Sequence, residues 1–125
     1  MEAQNFSNKP KITKEWLANK IKENPNKVIG RALLAIFQNQ TFAEQTIQET
    51  KAANGIGFAK PDARVGSIGA RMFATYGTLQ NWVIEVWMRP AKDGYPRICK
   101  YASQLHDIAC AKKARLERNS NLIIL

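Results

Sequence analysis

Histidine occurs once in this chain, at His106, and cysteine twice, at Cys99 and Cys110. A zinc site needs about four ligands, usually in close pairs, and this sequence offers no such spacing. Asp107 beside His106 does not help, because neighbouring helical residues point in different directions. No metal or other cofactor is expected. The cysteines lie eleven positions apart, about three helical turns, which is too far for a disulfide, so both read as reduced core residues. The chain also lacks a nucleophile paired with a base, a carboxylate cluster, and any Walker or dinucleotide fingerprint, so no catalytic residue is expected and the chain does not read as an enzyme. No apolar run approaches bilayer length, and Met1 to Asn8 contain no apolar leader segment, which predicts a cytoplasmic protein with no membrane partner. No repeat, low-complexity tract or long linker divides it.

What remains suits one domain. The 125 residues are 45% hydrophobic and 23% charged, enough to bury a core without staples and too apolar for disorder. The expected fold is all-α, a single compact domain of four to six short helices, with room for a minor extended element at Gly55 to Phe58 or at the C-terminus. Residues 1–11 read as a flexible arm, 12–118 as the helical domain and 119–125 as an apolar tail.

The helical pattern is legible in pieces. Thr13 offers an N-cap, and Trp16, Leu17 and Ile21 share a face that ends at Asn24-Pro25. Asn26 can cap a second helix with Val28, Ile29, Ala32, Leu33, Ile36 and Phe37 inward. Thr41 to Glu44 has the form of a capping box, so a third helix restarts there or the second continues. Asp62 can cap a helix from Ala63 to Tyr76 that Gly77 ends, its Gly66 and Gly69 allowing close packing. Thr78 can cap the next, with Leu79, Trp82, Val83, Val86 and Trp87 on one side, before Arg89-Pro90 stops it. Lys92 to Pro96 is a turn. A last long helix begins near Arg97, with Ile98, Tyr101, Ala102, Leu105, Ile108 and Ala109 inward. Leu122 to Leu125 can dock as a strand, pack on the core or form an interface.

Acidic residues are scarce: 10 against 19 Lys and Arg, for a net charge of +9. Such a surplus attracts polyanions, above all the phosphates of nucleic acid. Between Arg89 and Arg118 eight basic residues face three acidic ones, five of the nine net charges. The candidate nucleic-acid-binding residues are therefore Arg89, Lys92, Tyr95, Arg97, Lys100, Lys112, Lys113 and Arg115, with Arg118 at the end of the stripe. Tyr95, in a basic turn, reads either as a stacking ring or as a packed one. Lys92, Arg97 and Lys100, polar and near a turn, are expected to be dispensable for folding. Asn54-Gly55-Ile56-Gly57-Phe58 reads as a structural turn placing Phe58 in the core, or as a loop offering amides to a phosphate.

From Gly30 to about Ala111 a string of motifs appears in order: Arg31 to Phe37 with Gln40-Thr41 and Glu44-Gln45, Asn54 to Phe58 with Asp62-Ala63, Gly77-Thr78-Leu79 leading to Val86-Trp87, and Pro96 to Tyr101 with Gln104-Leu105. In these the chain resembles a family of small bacteriophage and mobile-element accessory proteins. The resemblance implies a phage setting, sometimes near replication functions, and thus the cytoplasm of a host cell; it carries over no catalytic residues. The expected function is a phage-encoded accessory protein that binds DNA or RNA through its basic C-terminal half. The alternative is a non-enzymatic, anti-CRISPR-like inhibitor that meets a host defence or nucleic-acid machine by protein contact.

Overall fold

The dipeptide Asn24-Pro25 organises the start of the domain, since proline restricts the residue before it and suits the first turn of the helix it opens. In the computed structural model, which describes residues 11–46 and 57–124 and the side chains of 11–40 and 57–114, α1 spans Lys14–Glu23 and α2 spans Pro25–Thr46. Thr13 caps α1, its hydroxyl accepting from the Trp16 N–H at 3.1 Å. Asn24, not Asn26, caps α2, with its side-chain oxygen 3.2 Å from the Lys27 N–H. Thr41 starts no new helix: α2 passes through it unbroken to Thr46, so the amides a capping box would serve are already in a helical ladder.

Three further helices follow, α3 (Ala63–Tyr76), α4 (Asn81–Met88) and α5 (Ala102–Ile124), with 3₁₀ turns at Lys60–Asp62 and Arg97–Tyr101. The all-α expectation holds among the described residues, although α2 and α5, at 22 and 23 residues, are long. Gly77 ends α3 in the left-handed region, φ 73°, where glycine pays no Cβ penalty. The last helix is entered through the 3₁₀ turn rather than directly at Arg97. It then runs through Ile124, so 119–124 continue the helix and form no strand. Lys112 and Lys113 consequently sit mid-helix, away from its final carbonyls.

Between α4 and the 3₁₀ turn the chain folds back on itself. The Arg97 N–H donates to the Arg89 carbonyl and the Ala91 N–H to the Tyr95 carbonyl, each at 2.8 Å, around an antiparallel bridge between Pro90 and Pro96. Gly94, φ 87°, closes the turn. This clasp is the extended element of the described residues. The loop at Gly57 and Phe58 forms no strand, and Asn54 to Ile56 lie outside the described residues.

The core is made by Leu17 and Ile21 of α1, Ile29, Leu33 and Ile36 of α2, Ala70 of α3, Val83 and Trp87 of α4, and Ile98, Tyr101 and Leu105 at the C-terminal end. Trp87 is fully buried, but Trp82 is 45% exposed and leaves the core expected for it. Cys99 is buried and Cys110 exposed, both free, which corrects the expectation of two core thiols. Helices α2 and α3 meet closely because glycine lines the seam: a Cβ on Gly69 would stand 2.6 Å from Leu33 Cδ1 and 3.2 Å from Val83 Cγ1. Among the described residues no helix is long and apolar enough to cross a membrane.

Gly69→Ala should therefore destabilise the domain by about 1–3 kcal/mol through overpacking, despite alanine's better helix propensity. Equilibrium urea unfolding of parent and variant measures this directly.

Candidate functional site

The candidate basic residues do not form one stripe. Arg89 and Lys92 are exposed at the clasp, and Arg97 and Lys100 stand on the 3₁₀ turn beside it. Lys112 and Lys113 lie exposed on α5, about 18 Å further along the helix at 1.5 Å per residue. The side chains of Arg115 and Arg118 are outside the described residues. Tyr95 is half-buried and packs against the core, so its ring serves the fold rather than standing clear in a basic turn.

Arg97 and Lys100 converge on a residue that the sequence presents as a helix cap. Asp62 makes no capping hydrogen bond to α3; its carboxylate is instead 1% exposed and held from three sides. Arg97 reaches Oδ1 with Nη2 at 2.5 Å and Nε at 3.2 Å. Lys100 Nζ sits 2.6 Å from Oδ2, and the Tyr101 hydroxyl donates to the same oxygen at 2.6 Å. A cap would leave one carboxylate oxygen facing a backbone amide, whereas here both oxygens are filled by charge-assisted donors. Burial by itself would raise the Asp62 pKa, but the hydrogen bonds from Lys100, Tyr101 and Arg97 together outweigh it and hold the carboxyl below its ordinary value. Burial, reinforced by the hydrogen bond to Asp62, pushes the Tyr101 hydroxyl well above the usual phenol range.

The same cluster pins the glycine loop. The Gly57 N–H donates to Gln104 Oε1 at 2.6 Å, while Gln104 Nε2 returns a bond to the Gly57 carbonyl at 3.1 Å. The Phe58 N–H donates to Gln40 Oε1 at 2.9 Å and the Ala59 N–H to the Tyr101 hydroxyl at 2.8 Å. Three successive amides are thus satisfied by side chains, which removes them from any phosphate and leaves the structural reading of this loop. Phe58 packs into an aromatic trio with Trp87 and Tyr101, centroids 5.8–6.3 Å apart. The Arg97 guanidinium lies 5.1 Å from the centre of the Trp87 ring, a cation–π contact that also orients it toward Asp62.

Arg97 and Lys100 are accordingly structural as well as basic, and the expectation that they could be removed without cost to folding is corrected. Neither is sealed off: their side chains are 28% and 42% exposed, and two cations on one carboxylate leave net positive charge. Lys60 and Arg64, exposed two residues either side of Asp62, and Arg89, backbone-paired to Arg97, stand around the same point of the chain. At the far side of the clasp Asp93 is taken by Lys14, at 2.6 Å. That hydrogen bond lowers the Asp93 pKa and raises that of Lys14.

Several contributing residues escape the sequence reading. Gln40, Gln104 and Tyr101 belong to the motifs of the resemblance, so their positions were marked, but which backbone they would bond was not. Asn26 was read as a cap; instead its side chain clasps Leu79, Oδ1 accepting from the Leu79 N–H at 2.9 Å and Nδ2 donating to its carbonyl at 3.1 Å. Nδ2 also lies 3.0 Å from Thr78 Oγ1. Thr78 caps nothing, since α4 begins after Gln80.

His106 is half-buried, and its Nδ1 accepts from the Ile12 N–H at 3.2 Å. Among the described residues no group of three or more His, Cys, Asp or Glu could hold a metal ion. An open groove of about 640 Å³ runs between α1, α2 and α5, floored by Trp16, Leu34 and Ile108, with Arg31 and Lys112 also lining it. Comparison with protein-family models, with curated proteins and with solved structures finds no match to this chain.

Asp62→Asn should cost about 2–4 kcal/mol, because it strands two cations that were paired with a buried carboxylate and are themselves only partly desolvated. The carboxyl titrates below its unfolded value of 3.8, so its contribution is complete above that pH and is lost as pH falls through the lower folded value. The stability gap between parent and variant, measured by urea unfolding from about pH 7 to 3, should therefore close below about pH 4.

Proposed function

We propose that this protein is a non-enzymatic, phage-type accessory factor that binds nucleic acid. The observation that carries the reading is the gathering of Arg89, Lys92, Arg97 and Lys100 at the clasp, with Lys60 and Arg64 beside Asp62, on a chain of net charge +9. Asp62 is buried and Asp93, exposed in the same clasp, is paired with Lys14, so the exposed charge left over there is positive. Phosphates meeting such a surface release condensed counterions, and affinity follows salt. The resemblance of its motifs to those of bacteriophage and mobile-element accessory proteins is what supports the phage setting and a host-cell location. Arg97 adds a feature suited to phosphate: Asp62 and Trp87 fix its guanidinium before any ligand arrives, which reduces the entropy lost on binding.

A second reading rests on the groove between α1, α2 and α5. Its apolar floor and basic lining would suit an acidic amphipathic segment of a host protein, and an inhibitor acting by protein contact would use it. Arg31 and Lys112, rather than the clasp, would then carry the interaction.

Fluorescence anisotropy with labelled duplex and single-stranded oligonucleotides across a salt series tests the first reading. About four phosphate contacts would reduce affinity roughly a hundredfold for a fourfold rise in salt. Arg89→Ala and Lys92→Ala, which break no ion pair among the described residues, should each lower the salt slope by about one and leave the circular dichroism spectrum unchanged. Absence of binding at low salt, together with a partner from host lysate that survives nuclease and is lost in Arg31→Glu, would transfer the function to the groove.

A further inference from the structure

We propose that the outer face of α4 reads duplex DNA in the major groove; this rests on the nucleic-acid reading above and names its reading element. The order of elements is the starting observation. Helix α3 ends at Gly77, residues 77–80 form a short turn, α4 follows, and the chain then folds back through the Pro90–Pro96 clasp. Two helices joined by a short glycine-containing turn share the connectivity of the helix-turn-helix, in which the second helix enters the groove, although α3 packs here chiefly on α2, and α4 on α2 and the 3₁₀ turn Arg97–Tyr101. Here the turn is held by more than its own backbone. Asn26 bonds both polar groups of the Leu79 peptide unit region, N–H and carbonyl, and Gly69 lets Val83 approach α3.

The faces of α4 divide sharply. Val83 and Trp87 are fully buried, whereas Asn81, Trp82 and Glu85 are exposed, with Gln80 just before and Arg89 just after the helix. Positions 81 and 85 stand one turn apart on the same side. These are the side-chain types that discriminate base edges: asparagine pairs with adenine N6 and N7, a carboxylate accepts from the cytosine amino group, and an apolar surface meets the thymine methyl. Trp82 supplies that surface, and its indole N–H, donating to Gln80 Oε1 at 2.9 Å, fixes it beside the polar pair.

Charge complementarity fixes the occupant. Asn26 ties the start of α2 to the start of α4, which brings exposed Lys27 to that end. The clasp carries Arg89 and Lys92 at the opposite end. Cations thus flank a neutral-to-acidic reading face, as the two phosphate strands flank the base edges of a groove. An α-helix with its side chains is about 10–12 Å across, which fits the B-form major groove, about 12 Å wide. The rings divide: Trp87 and Tyr101 are buried and Tyr95 is half-buried, whereas Tyr76 and Trp82 are exposed near the turn, so binding to single strands is an outcome the test must separate.

Selection from a randomised duplex pool by the full chain, followed by anisotropy on the selected and a shuffled duplex, tests this. A preferred sequence should emerge. Asn81→Ala/Glu85→Ala should lose about tenfold on the selected duplex and less than twofold on the shuffled one, with an unchanged salt slope. Glu85→Gln should move one position of the preferred sequence from cytosine toward adenine, a gain that misfolding could not produce. Lys27→Ala and Arg89→Ala should weaken both duplexes equally and reduce the slope. RNA duplex of the selected sequence should bind no better than shuffled DNA, because its major groove is too narrow for a helix. A parent that binds nucleic acid without sequence preference, that prefers single strands, or whose preference survives the double variant overturns this inference alone. A parent that binds no nucleic acid overturns it together with the broader reading.

Discussion

A carboxylate taken out of water must be paid for by its partners, and in this domain that requirement falls on Asp62. Its two oxygens are occupied by Arg97, Lys100 and the Tyr101 hydroxyl, which ties the chain entering α3 to the chain entering α5. Tyr101 then accepts from Ala59, so the loop before α3 is held by the same contact. The aromatic trio of Phe58, Trp87 and Tyr101 seals one side, where low polarity makes each charged hydrogen bond stronger and each missing one more costly. Cooperativity follows, because removing any one donor leaves the others facing an incompletely satisfied charge.

Two side-chain amides repeat a simpler version of this device. Gln104 grips both the N–H and the carbonyl of Gly57, and Asn26 grips both those of Leu79. Each gives an irregular segment the paired hydrogen bonds that a neighbouring strand would otherwise supply. An all-helical domain can therefore hold loops against its core without a sheet, and the helix termini they border are set with little freedom. That rigidity is what makes α4 and its flanking cations a defined surface: the turn before it is held by Asn26, and the clasp after it by paired backbone bonds between Arg89 and Arg97 and between Ala91 and Tyr95.

The basic residues divide between two duties. Arg97 and Lys100 neutralise Asp62 and still reach solvent, while Arg89 and Lys92 stand on the clasp without an ion pair among the described residues. The groove on α1, α2 and α5, with Arg31 and Lys112, is a separate surface. Positive charge read as one run along the chain is thus divided between two surfaces in space.

Much of the helical skeleton was legible, because local physics decides it. The periodicity of Leu17 and Ile21, or of Ile29, Leu33 and Ile36, needs only the helical repeat, and Thr13, Asn24-Pro25 and Gly77 act on their own neighbours. The close approaches at Gly69, which meets Leu33, and at Gly66, which meets the Phe58 ring, were readable in the same way as small residues on a helix face. Caps were less so: Asn26, Asp62 and Thr78 have the right chemistry for helix starts, yet each finds a partner far along the chain, with Asp62 and Arg97 separated by 35 residues. A side chain that can bond locally or at distance gives no local sign of which it will do. Trp82 and Trp87 sit on the same short helix, and only the packing of α4 decided that one would be buried and the other exposed. Composition and periodicity by themselves determined an all-α, strongly basic domain; which cations face solvent, and which hold the buried carboxylate, was decided only when the fold brought residues 62, 97, 100 and 101 together, since burial and pairing are properties of neighbours in space.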